Sequence, residues 1–130
     1  MENTYKNGDV VFAEKISKYY RIERFDVVII KIKGMTIVKR IIGLPNEAIM
    51  VIDGKIYIDG IELTETNDNY TDYGGIAAEP FYLSDNEYFV LGDNRNESYD
   101  SREIGAVYKH QIIGKTIFRF FPFDRIGGVE

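Results

Sequence analysis

The sequence has no cysteine and no tryptophan, three prolines and a single histidine, His110. Without thiols there is no disulfide framework and no cysteine nucleophile, and one imidazole cannot assemble the usual Cys/His zinc sets. A Ser-His-Asp triad would have to rest on His110 alone. No apolar run approaches the roughly 20 residues that a spanning helix needs, and no charged-then-apolar leader opens the chain. The net charge is −5, which lacks the basic excess of a nucleic-acid-binding surface. Neither nucleic acid nor a metal or other cofactor is expected.

What is present describes one globular domain over residues 1–130. Hydrophobic residues make up 45% and charged residues 28%, enough for a single core at this length. Ten Tyr and eight Phe, with many Val and Ile, favour strands over helices. Strand-like segments fall at Val10–Ala13, Val27–Ile32, Thr36–Ile42, Ile49–Ile52, Ile56–Ile58, near Ile61, Phe81–Leu83, Tyr88–Leu91 and Ile112–Phe121. Gly34 can close a hairpin between the second and third. Asp53-Gly54 and Asp59-Gly60, each flanked by apolar residues, are hairpin turns because both central residues tolerate positive φ. The polar stretch Thr64–Glu79 is long for a connection and reads as functional or mobile. One short helix is expected near Ala106–Gln111. The predicted fold class is all-β, or β-rich, with mostly antiparallel strands and little helix.

Two segments concentrate chemistry. The first is VKRIIGLP, Val38–Pro45. In a strand, Ile37, Lys39 and Ile41 share one face and Val38, Arg40 and Ile42 the other, so one basic residue must lie beside isoleucines. A bland reading makes this an edge strand guarded by a solvated lysine. The sharper reading is a desolvated lysine: moving its pKa from ~10.4 toward ~7 requires about 4–5 kcal/mol of destabilisation of the ammonium form. Such an amine can act as general base for a hydroxyl nucleophile.

The second segment is LGDNRNESYDSREIG, Leu91–Gly105. It fits an Asx-rich turn with surface ion pairs. It lacks the ligand spacing of an EF-hand calcium loop. It also fits a rigid polar network in which Asp100 pairs with Arg102 and aims Ser98 at a neighbour. Composition alone leaves the choice open.

Taken together, VKRIIGLP and GDNRNESYDSR resemble the conserved boxes of bacterial type I signal peptidases. Met1-Glu2-Asn3-Thr4 resembles the end of that family's Ser-Met-x-Pro-Thr nucleophile motif, with Gly8-Asp9-Val10-Val11 at the expected spacing. Arg24-Phe25-Asp26 resembles a box that is usually Arg-Gly-Asp, and the ending IIGKTIFRFFPFDRIGG is similar to the family's last strand. Three positions depart from the pattern: Asn3 for proline, Phe25 for glycine, and Asn46-Glu47 for Gly-Asp.

The resemblance implies two antiparallel sheets around one catalytic core and a Ser/Lys endopeptidase. Lys39 would be the general base and Ser98 its hydrogen-bond partner, with Asp100, Arg102, Asp93 and Asn94 supporting the site. Met1, Tyr5, Ile37 and Val38 would line small substrate pockets. The motif places the nucleophilic serine immediately before Met1, so the chain is expected to lack both nucleophile and membrane anchor and to be inactive as it stands. The parent enzyme would cut signal peptides of exported preproteins after Ala-x-Ala-like sites, at the outer face of a bacterial cytoplasmic membrane. A lipid surface would be a second partner, met by an apolar rim drawn from Phe118, Phe120, Phe121 and Phe123. Two rivals stay open: a non-cleaving relative that assists pilus or surface-protein assembly, and a self-cleaving repressor-type Ser/Lys domain.

Overall fold

The computed structural model describes residues 10–15, 20–64, 71, 73–121 and 127–128, and for 10–14, 117–121 and 127–128 the backbone alone. Among the described residues, two antiparallel sheets account for nearly all regular structure. The larger contains β1 (Val10–Lys15), β2 (Val27–Ile32), β3 (Met35–Gly43), β8 (Glu87–Leu91), β9 (Val107–Tyr108), β10 (Ile112–Phe121) and β11 (Gly127–Gly128). Its order is β1-β10-β2-β3-β8-β9, with β11 on β10. The smaller contains β4 (Ala48–Ile52), β5 (Lys55–Ile58), β6 (Ile61–Glu62) and β7 (Phe81–Tyr82), in the order β6-β5-β4-β7.

Local turn chemistry sets this register. Lys33-Gly34, Asp53-Gly54 and Asp59-Gly60 have φ of 49° and 78°, 50° and 79°, and 52° and 83°. Paired positive φ is the backbone of a two-residue hairpin turn whose twist matches the flanking strands. Each turn therefore locks one pair: β2 with β3, β4 with β5, and β5 with β6.

Strands β3 and β8 form a wall between two cores. Alternation sends Ile41 and Val90 into one core, with Val28, Ile30 and Val107. Ile42, Phe89 and Leu91 enter the other, with Ile49, Val51, Ile56 and Ile58 of the small sheet. Burying such side chains supplies most of the folding free energy, roughly 25 cal/mol per Å² of apolar surface. β8 pairs with β3 only along Arg40–Gly43, whereas β2 follows β3 from Met35 to Arg40. Beside Met35–Lys39, the other edge of β3 carries no strand among the described residues.

The helix expected at Ala106–Gln111 is corrected. That stretch divides into β9 and a 3-10 turn at Lys109–Gln111, while the α-helix, α1, is Ser101–Ile104. The Asp100 carboxylate accepts a hydrogen bond from the Arg102 backbone N–H and so caps α1 at its N-terminus, a stop-start signal that the apolar pattern does not carry. The Thr64–Glu79 excursion includes a 3-10 turn at Gly75–Ala78. Residues 65–70 and 72 lie outside the described set.

Candidate active site

β3 delivers Lys39 to the site, and β8 ends at Leu91 to release the loop that carries Ser98. The Lys39 Nζ donates to Ser98 Oγ at 2.9 Å, across 59 residues of sequence. Gly92 makes that approach possible. A Cβ at Gly92 would overlap the Ser98 hydroxyl and lie 3.2 Å from Lys39 Nζ. The contact thus rests on the bare Cα of the first loop residue.

The loop is fixed by charge. Asp100 and Arg102 form a fork, with Arg102 Nε to Oδ1 and Nη2 to Oδ2 both at 2.9 Å. Their side chains are 0% and 2% exposed. The same Oδ2 accepts from the Gly92 N–H at 3.0 Å, so one carboxylate holds both ends of the loop. Ser101 Oγ accepts from the Val90 N–H at 2.9 Å and ties α1 back to β8. A second fork joins Arg40 to Asp93, with both bonds at 2.9 Å, and Arg40 also donates to the Phe25 carbonyl at 3.0 Å. Both adjacent basic residues of β3 therefore point into protein, each toward a different part of the loop.

Electrostatics follow from this enclosure. Burial disfavours the Lys39 ammonium and holds its pKa below the ordinary 10.5; nearby Arg102 pushes the same way, while Asp100 and Asp93 oppose. Burial alone would raise the Asp100 carboxyl. Its hydrogen bonds from Arg102, Gly92 and Ser98 overcome that and hold it below the ordinary 3.8. Ser98 Oγ accepts from Lys39. That leaves the amine's lone pair free to face elsewhere.

The other named residues are distributed as follows. Asn94 is half-buried, and its carbonyl accepts from the Glu97 N–H at 3.1 Å to close a turn in the loop. Ile37 packs against the first core, and Val38 is half-buried on the opposite face of β3. Met1, Tyr5 and Phe123, and the side chains of Phe118, Phe120 and Phe121, lie outside the described residues. Sequence reasoning passed over Arg40, Arg95 and Thr71. The signal for Arg40 was available: next to a lysine in a strand buried on both faces, it too needs a partner.

Two departures from the family pattern fall on left-handed backbone. Phe25 has φ 73° and Asn46 has φ 69°. Glycine is favoured there because it has no Cβ; Asn tolerates the conformation better than Phe does. Phe25 is held by its N–H to the Ile41 carbonyl at 2.8 Å and packs against the second core. Glu47 is clamped by both nitrogens of the Arg24 fork, at 2.8 and 2.7 Å, and accepts from the Leu44 N–H. This keeps the turn after β3 rigid.

Comparison with known proteins places these features in context. The family described as "Signal peptidase, peptidase S26" matches residues 1–121. The chain is 39% identical over 98% of its length to "Probable signal peptidase I-2" of a Synechocystis strain and spans 62% of that protein. It is 35% identical over 97% of its length to "Signal peptidase I" of Bacillus amyloliquefaciens and spans 74% of it. A crystal structure of a signal peptidase I from Enterococcus faecalis superposes with a TM-score of 0.58 at 28% identity, covering 85% of this chain and 97% of that one.

Proposed function

The chain belongs to the signal peptidase, peptidase S26, family, and from that premise we propose that it is the catalytic domain of a serine endopeptidase that removes signal peptides with a Ser/Lys dyad. The observation that carries this reading is the half-buried Lys39 amine, 2.9 Å from Ser98 and depressed in pKa. An exposed lysine of an inert fold has no reason to be desolvated and aimed in this way.

In the proposed reaction, neutral Lys39 takes the proton from a serine hydroxyl, whose oxygen attacks the carbonyl carbon of the scissile bond. The resulting ammonium then protonates the leaving amine as the peptide bond breaks, and water hydrolyses the ester by the reverse sequence. Ser98 is not that nucleophile. It packs tightly on Gly92 and accepts from Lys39, so its oxygen lacks the room to attack. Its role is to hold one N–H of Lys39 and so direct the lone pair. By the motif, the nucleophile would be the serine of the Ser-Met-x-Pro-Thr box whose end Met1–Thr4 resembles.

Substrate would add as an extended strand along the edge of β3 beside Met35–Lys39, which carries no strand among the described residues, and backbone pairing there would register the cut site with the amine. The substrate is the small-residue end of a signal peptide on an exported preprotein. The parent protein works at the outer face of a bacterial membrane. Among the described residues no helix is long and apolar enough to cross a bilayer.

A cleavage assay tests this reading. A version of the chain that includes the motif serine ahead of Met1 should cut a preprotein at an Ala-x-Ala site. The Lys39→Ala form of that version should be inactive. Cleavage by the extended Lys39→Ala form would remove the dyad from the account. Failure of the extended parent to cleave, with the fold intact, would favour the non-cleaving assembly role.

A further inference from the structure

Gly92 is the plate on which Ser98 and Lys39 meet, and both of its backbone polar groups are gripped. Its N–H goes to Asp100. Its carbonyl accepts from Arg95 Nε at 2.6 Å. Arg95, 5% exposed, sends Nη1 to Thr71 Oγ1 at 3.0 Å. Thr71 is 0% exposed, although it belongs to the excursion rather than to either sheet. Its backbone N–H donates to the Gly54 carbonyl at 3.2 Å, forming a bridge to the turn between β4 and β5. Burying a hydroxyl is costly unless it is hydrogen-bonded, and here Arg95 supplies the bond.

A second strap runs in parallel. Arg102 Nη1 donates to the Tyr73 carbonyl at 3.0 Å. Gly75, at φ 56°, lies so close to the Arg102 carbonyl that a Cβ would overlap it. Each arginine of the loop therefore reaches a different residue of the same excursion, two positions apart.

We propose that Thr71 is a positioning residue for the reaction: through Arg95 it fixes the Gly92 carbonyl to the β4–β5 turn, so that the small sheet sets the geometry of the Lys39–Ser98 contact. Thr71 touches neither amine nor substrate. It acts only through the chain Gly54, Thr71, Arg95, Gly92, Ser98. The inference rests on the reading of Lys39 and Ser98 given above.

The test reads Lys39 directly and needs no cleavage. Lysines of the chain are labelled with ¹³C at Cε, the Lys39 signal is assigned by its loss in Lys39→Arg, and its titration midpoint is followed by NMR. The charged groups acting on it, Asp100, Arg102 and Asp93, are the same in every variant compared. Thr71→Val keeps the shape and deletes the hydroxyl. Loosening Gly92 admits water to the amine, so the midpoint should rise toward the ordinary value by about 0.5–1 pH unit. Thr71→Ser keeps the hydroxyl and should restore the parent midpoint. If Thr71→Val does not fold, Arg95→Lys, which cannot make both bonds, should show the same rise.

A folded Thr71→Val chain that is less stable but titrates as the parent does would overturn the proposal and reduce Thr71 to a packing element. If Ser98→Ala still shifts Lys39 in that case, the dyad reading survives alone. An ordinary lysine midpoint in the unsubstituted chain would remove both.

Discussion

Strands β4 to β7 and the loop Gly92–Asp100 are held in place by different kinds of contact. The small sheet rests on Ile49, Val51, Ile56 and Ile58 against Phe89 and Leu91, with two Asp-Gly turns setting its register and the exposed Lys55–Glu62 pair on its surface at 3.7 Å. The loop rests on buried charge: Asp100 with Arg102, Asp93 with Arg40, and Arg95, which reaches the Gly92 carbonyl and the Thr71 hydroxyl. Apolar burial is non-directional and tolerant of small shifts. A buried ion pair adds little net stability, because desolvation cancels much of the attraction, yet it fixes angles and distances. The chain thus uses the inexpensive device where only shape is needed and the directional one where an amine must be aimed.

That contrast can be broken or sharpened by substitution. The largest effect is expected at Asp100. Asp100→Ala leaves the Arg102 guanidinium and the Gly92 N–H without their partner and should cost about 3–5 kcal/mol in denaturant melts. The pH dependence has the same origin. Because the Asp100 carboxyl is held below 3.8, its contribution is fully present above that value and is lost as pH falls through the folded-state pKa. The parent should therefore lose stability on acidification faster than Asp100→Ala. Parallel acid limbs in the two melts would show that the fork contributes nothing specific.

In the small sheet, Ile58→Ala should cost about 2–4 kcal/mol through lost burial and the cavity it leaves. Ile58 pairs with Ile49, away from the Gly54 turn that holds Thr71. Its Lys39 titration midpoint should therefore equal the parent's. A displaced midpoint would mean that small-sheet packing as a whole, rather than the Thr71 strap, tunes the amine. The smallest effect is expected at Lys55. With side chains 59% and 49% exposed, the Lys55–Glu62 pair should contribute under ~0.5 kcal/mol, and Lys55→Ala should melt within error of the parent.

The fold was legible wherever local chemistry decides it. β2 and β10 fall on the residues expected, and the three hairpin turns sit at Lys33-Gly34, Asp53-Gly54 and Asp59-Gly60 because positive φ leaves few residue choices. The misplaced helix has a different cause. Ser101–Ile104 is a single turn capped by Asp100, and a stretch that short has no periodicity to read. At the site, Lys39 and Ser98 became visible through resemblance; nothing local joins residues 59 apart. Arg40–Asp93 and Arg95–Thr71 stayed hidden because each pairing is set by where the sheets bring the chain, and a charged residue announces only that it needs a partner.

The pH dependence of cleavage tests most directly whether the enclosure of Lys39 holds its amine below the ordinary pKa for use as a base. In the version extended through the serine, the ascending limb of kcat/KM reports the essential base of the free enzyme. The account predicts a limb with its midpoint below 10.5, coinciding with the NMR midpoint of Lys39 in the same protein. A limb whose midpoint differs from that of Lys39, with cleavage persisting in Lys39→Ala, would contradict it.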